Sequence, residues 1–90
     1  MDIKEVEKLF GNICQVHVEH TFGSVRTLFS GHLEVSEKGY LNIMAANNHM
    51  FINFEDIISY TTEYFPDNFL YVTTLQLKDN TKISITHNEI

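Results

Sequence analysis

Cys14-Gln15-Val16-His17-Val18-Glu19-His20-Thr21-Phe22-Gly23-Ser24-Val25 is the stretch that decides the fold. From Cys14 to Phe22 the even positions are mostly apolar and the odd ones polar, the period of a strand with one buried face. Phe22-Gly23-Ser24 then supplies a tight hairpin turn. Beyond it Val25, Phe29, Leu33 and Val35 fall on one face of a second, longer strand. Gly31 interrupts that strand, which predicts a bulge or a sharp bend of the kind that curls a sheet.

Upstream, the period is 3.6. Ile3, Val6, Leu9 and Phe10 recur at helical spacing, Asp2 and Glu5 form a capping-box start, and Gly11 is the stop. The prediction is a helix over residues 2–10. A helix that short is not stable alone, so its stripe must dock, on this domain's own sheet or on another subunit. Downstream, turns at Glu37-Lys38-Gly39, Ala46-Asn47-Asn48-His49, Glu55-Asp56, Pro66-Asp67-Asn68 and Lys78-Asp79-Asn80 separate short apolar-rich runs. Strands are expected at about 13–22, 25–36, 40–45, 50–54, 57–65, 69–77 and 81–86, with a frayed tail from His87 to Ile90. The fold class is therefore mainly β. One short N-terminal helix precedes a six- to seven-stranded antiparallel meander closed as a small barrel, SH3/Sm-like or PH-like.

Ninety residues make one domain, 1–90, with one modest core. Twelve acids face six bases, a net charge of −6 with Arg26 the sole arginine, which disfavours a surface that tracks phosphates. No apolar run approaches the ~18 residues of a membrane span, and the start lacks a signal-peptide pattern. With the single Cys14, these features point to a cytoplasmic setting. Cys14 shares parity with Val16 and Val18 and is expected to be a small core residue.

Gly31-His32-Leu33, Leu41-Asn42-Ile43 and Asp56-Ile57-Ile58-Ser59 resemble motifs of the Sm-like fold, to which the bacterial RNA chaperone Hfq belongs. The resemblance covers residues 3–60 and implies a small barrel with RNA or nucleotide binding. The basic residue that the family uses beside its RNA pocket has no counterpart, because Asn53, Glu55 and Asp56 occupy that region. A second resemblance, over 39–86, is to bacterial PH-like domains, mostly binding modules. It rests on Gly39 to Ile43, Phe54-Glu55-Asp56-Ile57-Ile58 and Leu75 to Ile83, although the helix that normally ends those domains is missing here.

Little in the chain suggests catalysis. His17 and His20, three apart on a strand, point to opposite faces and cannot chelate one metal; His20 shares the inward parity, while His17 and His32 point outward. Glu55 and Asp56 adjoin where a strand begins and diverge. No cofactor, metal or enzymatic activity is expected. The informative stretch is 60–71, where Tyr60, Tyr64, Phe65, Phe69 and Tyr71 place five of eleven aromatics around the Pro66 turn. Such a cluster either pins a hairpin by cross-strand pairing or forms a binding patch. Leu28, Tyr40, Met44, Phe51 and Tyr71 lie off the inward registers and predict leftover apolar surface, hence self-association.

The expected function is a non-catalytic protein-binding module, a small oligomeric regulator or inhibitor such as a phage or mobile-element anti-defence protein, with its binding residues in 60–71. One alternative is an Sm-like nucleotide or RNA binder, which needs Arg26, Lys38, Lys78 or Lys82 to converge beside Tyr40 or Phe51. The other is an acidic mimic of nucleic acid built from Glu5, Glu19, Glu34, Glu37, Glu55, Asp56 and Glu63.

Overall fold

The structure, a computed structural model, describes residues 1–88. One helix, α1 (Ile3–Phe10), leads into seven strands: β1 (Gln15–Phe22), β2 (Val25–Ser36), β3 (Tyr40–Met44), β4 (His49–Asn53), β5 (Ile57–Phe65), β6 (Leu70–Leu77) and β7 (Lys82–His87). All pairings are antiparallel, and the strands form one sheet in the order β4-β3-β2-β1-β7-β6-β5. The strand boundaries fall within two residues of those expected from the alternation.

The connection from β4 to β5 dictates the shape. Across a flat sheet those two edge strands would stand six inter-strand gaps apart, roughly 29 Å. The chain covers the distance with one three-residue 3₁₀ turn, Phe54–Asp56, which rises only ~2 Å per residue. The sheet must therefore curl, and it does so as a half-barrel with β4 and β5 as its two edges. The turn is fastened to both sides: Phe54 N–H donates to Gly39 O at 3.0 Å, and Lys78 N–H donates to Asp56 O at 3.0 Å.

Curvature also passes through β2, whose first part pairs with β1 (Val25 to His32) and whose last part pairs with β3 (His32 to Ser36). Gly31 sits at that handover and runs in register with Val16, without the bulge that was one of the two expectations for it. Its role is close approach: a Cβ there would lie 2.5 Å from the Met44 carbonyl oxygen. The β1–β2 hairpin is closed by the two residues Gly23 and Ser24, with Gly23 at φ +61°.

Inside the curl Val16, Val18, Leu33, Leu41, Ile43, Ile52, Leu75, Ile83 and Ile85 form the core, joined by Val6 and Phe10 of α1. The helix thus docks on this domain's own sheet. Its capping box is complete, with Glu5 N–H donating to Asp2 Oδ1 at 2.9 Å and Asp2 N–H to Glu5 Oε1 at 3.4 Å.

Two expectations are corrected. Cys14 is exposed, not a core residue. Strand β1 begins at Gln15, and although the Cys14 carbonyl still accepts from Leu33 N–H at 2.7 Å, Ile13 is the buried side chain of that segment. His87 is not part of a frayed tail: it is the last residue of β7 and 2% exposed. Residues 89 and 90, the rest of that expected tail, lie outside the described residues.

Candidate protein-binding surface

The cluster over 60–71 folds as the β5–β6 hairpin, in register from Ser59↔Gln76 through Tyr64↔Tyr71 to Phe65↔Leu70. Its single irregularity lies between Ile57 and Ser59, where Ile58 bulges out, leaving Ser59–Phe65 as a regular run. Pro66 opens the turn, with Asn68 N–H donating to Phe65 O at 3.2 Å and Phe69 N–H to Pro66 O at 3.4 Å. The chain leaves the turn through Phe69 at φ +55°, in the left-handed region that costs an L residue with a Cβ ~1–2 kcal/mol.

The register sorts the five aromatics into two groups. Tyr60, Thr62 and Tyr64 lie on the inward face, opposite Leu75, Thr73 and Tyr71. Tyr64 packs on Tyr71 with ring centroids 4.7 Å apart, and Tyr71 stacks on His87 at 5.7 Å with the planes 12° apart. His87 in turn meets the edge of Phe10 at 6.1 Å, so the ladder runs from the exposed hairpin to the helix. Beside it, the hydroxyls of Thr62 and Thr73 are 3.1 Å apart, and Thr73 Oγ1 lies 3.1 Å from His87 Nε2. Tyr71 is consequently half-buried on the inward face, a correction to its place among residues off the inward register. Its pairing opposite Tyr64 and His87 fixes that side.

The second group is at the tip. Phe69 is 73% exposed, and Phe65 and Tyr64 are exposed beside it. Of the predicted binding residues, Tyr60, Tyr64, Phe65 and Phe69 are therefore accessible, and Tyr71 supports them from beneath.

The outward face of the sheet carries another apolar group, Leu28 and Phe51 exposed, with Tyr40 and Met44 half-buried. Phe51 meets Tyr40 edge-on at 5.2 Å and His49 at 4.4 Å, while His49 is hydrogen-bonded to Asn42. Phe22 and Val25 are also exposed, at the β1–β2 hairpin end, and Ile58 at the β5 bulge. Alternation placed Phe22 and Val25 on the inward side. Parity gives the face of a sheet and not how far the cover over that face extends.

Two ion pairs of the described residues lie on the outward face. Arg26 Nε meets Glu19 Oε1 at 2.8 Å, and His32 Nε2 lies 3.4 Å from Glu34. Of the bases that a phosphate site requires, Arg26 and Lys82 flank Thr21 in one row across β2, β1 and β7, whereas Lys38 and Lys78 lie on separate turns. His17 is hydrogen-bonded to Ser30 on the outward face, beside a groove of about 440 Å³ that Cys14 also lines. Among the described residues, no group of three His, Cys, Asp or Glu could hold a metal ion, and no helix is long and apolar enough to cross a membrane. At the β6–β7 turn, hydrogen bonds from the Thr81 side chain and backbone hold the Asp79 carboxyl below its ordinary value.

Comparison with known proteins finds no matching family model, no matching curated protein and no matching solved structure.

Proposed function

We propose that this chain is a non-catalytic protein-binding module that self-associates and presents the tip of the β5–β6 hairpin to a protein partner. One observation carries the reading. Phe69 is held in the left-handed region while 73% of it faces solvent. That backbone costs energy, and a ring so exposed returns little of it through burial. Phe65 and Tyr64 widen the same apolar tip, and rigid aromatic side chains are the usual anchors of protein interfaces. By analogy of size and acidity, the class extends to small inhibitors carried by phages and mobile elements.

The test is affinity capture from a lysate of the source cells, comparing the parent chain with a Phe65→Ala/Phe69→Ala variant and identifying the retained proteins by mass spectrometry. A partner depleted at least tenfold by the double substitution supports the reading. Equal retention of every captured protein by both overturns it.

The alternative, an Sm-like RNA or nucleotide binder, draws on the row formed by Arg26 and Lys82. It ranks second because Arg26 is already engaged by Glu19, and Glu55 and Asp56 occupy the turn before β5. Nucleic acid co-purifying with the chain and removed by high salt would reverse that order.

A further inference from the structure

The two edges of the half-barrel differ in how they are protected. Natural sheets blunt their edges with short strands, lysines, prolines or bulges, because a row of free N–H and C=O groups otherwise recruits another strand. β4 is five residues long. β5 has nine residues, rich in β-branched and aromatic side chains, with Glu63 its sole charge, no lysine or proline, and all but Ile57 exposed. Its bulge is confined to the end next to the 3₁₀ turn, so Ser59–Phe65 stays regular and open along one side.

That regular run is self-complementary. We propose that β5 is the interface for a second copy of this chain, the two β5 strands pairing antiparallel about a two-fold axis at Thr62. The proposal deepens the self-association part of the proposed function and rests on it; Tyr64 and Phe65 belong both to the paired run and to the hairpin tip, and Phe69 to the tip alone.

Three features select the register. Residues directly opposite must share a face, so the axis must pass through a residue and not between two. An axis at Glu63 would set two carboxylates opposite each other, a destabilising arrangement. Axes at Tyr60 or Thr61 would draw the Ile58 bulge into the ladder, and one at Tyr64 would bring in Pro66, which has no N–H to give. The axis at Thr62 uses the whole run from Ser59 to Phe65. It pairs Thr62 with its own copy, Tyr60 with Tyr64 twice on the inward face, and Glu63 with the neutral Thr61. Cross-strand aromatic and threonine pairs are among the stabilising ones. Each chain carries a net charge of −6, so raising the salt concentration should tighten the dimer by screening its self-repulsion.

The experiment uses the full chain. Sedimentation equilibrium over a concentration series should show one chain passing to two and no larger species. In a Cys14→Ser background, which removes the exposed native thiol, Thr62→Cys should oxidise to a disulfide-linked dimer at least tenfold faster than Thr61→Cys. As a second, cysteine-free readout, Thr61→Glu sets an acid opposite Glu63 of the second copy and should raise the dimer dissociation constant at least tenfold. A chain that is monomeric at every concentration overturns both this interface and the self-association reading. A dimer in which Thr61→Cys links as fast as Thr62→Cys, or whose affinity Thr61→Glu leaves unchanged, overturns the interface alone. An assembly larger than a dimer also overturns it.

Discussion

Replacing Phe69 by alanine and, separately, by glycine measures whether the hairpin tip holds its aromatic at a cost to the fold. In a regular strand or helix glycine is the worse residue, by ~0.5–1 kcal/mol relative to alanine. At Phe69 the order should invert. Both substitutions remove the ring and forfeit the same small contact, since 73% of the residue is exposed. Alanine keeps a Cβ in a backbone at φ +55° and so keeps the strain, ~1–2 kcal/mol. Glycine relieves that strain and gives back ~0.4–1 kcal/mol through the greater freedom of its unfolded chain. The difference favours glycine by about 0.8 kcal/mol. For a domain of this size it corresponds to ~3–6 °C in melting temperature. Urea unfolding and thermal melting of both variants, monitored by circular dichroism, read it directly. Both should also lose the partner that the parent captures, because both lack the ring. A glycine variant no more stable than the alanine variant would refute the reasoning, since it would show that the tip pays no backbone cost to display Phe69.

Two further predictions concern the frame that holds the hairpin. Gly31→Ala places a methyl 2.5 Å from the Met44 carbonyl oxygen; backbone must move, and the variant should lose ~1–3 kcal/mol of stability, measured as a lowered urea midpoint, whereas a loss within error would remove Gly31 from the list of fixed points of the curl. Asp79 has its carboxyl held below its ordinary value by Thr81. Its contribution is therefore complete above the unfolded carboxylate value and is lost as pH falls through the lower folded value. The stability gap between the parent and Asp79→Asn should be constant near neutral pH and shrink in that acid window, and a gap independent of pH contradicts the assignment.

The periodicity of the sequence determines much of this fold because a period-two pattern requires one buried face wherever it occurs. Val16 and Val18, Ile83 and Ile85 announce their strands locally, and Gly23, Pro66 and Asn80 announce turns that the backbone adopts. What the pattern could not carry is depth. Phe22 and Val25 have inward parity yet project past the core, and Cys14 has inward parity at the very start of the β1–β2 pairing, where its side chain is exposed. His87 looked like tail because no hydrophobic residue follows it within the strand. Its burial depends on Phe10, Tyr71 and Thr73, contributed by α1 and β6. The candidate surface was legible as an aromatic cluster, but its division into a supporting ladder and an exposed tip is a consequence of register. That register begins at a bulge, which no residue of the Ile57-Ile58-Ser59 segment signals in advance.

The tip and the edge are parts of one hairpin, and their geometry links the two proposals. Antiparallel pairing of β5 about Thr62 sends the two copies of the turn, Pro66 to Phe69, to opposite ends of the paired run. Pro66 lies four residues beyond the axis in each copy, and eight steps at ~3.4 Å each separate the two turns by roughly 27 Å. A dimer of this kind offers two identical aromatic tips facing apart, which suits a partner that repeats its own binding site and not one with a single site. Linked sites of that sort can raise apparent affinity by ~10²–10⁴ without any new contact. Thr61→Glu, which weakens the dimer but leaves Phe65 and Phe69 in place, should therefore reduce retention on an immobilised, densely displayed partner far more than it reduces affinity for the same partner free in solution. Equal losses in the two formats would show that the tip acts singly and that pairing at the edge serves some other end.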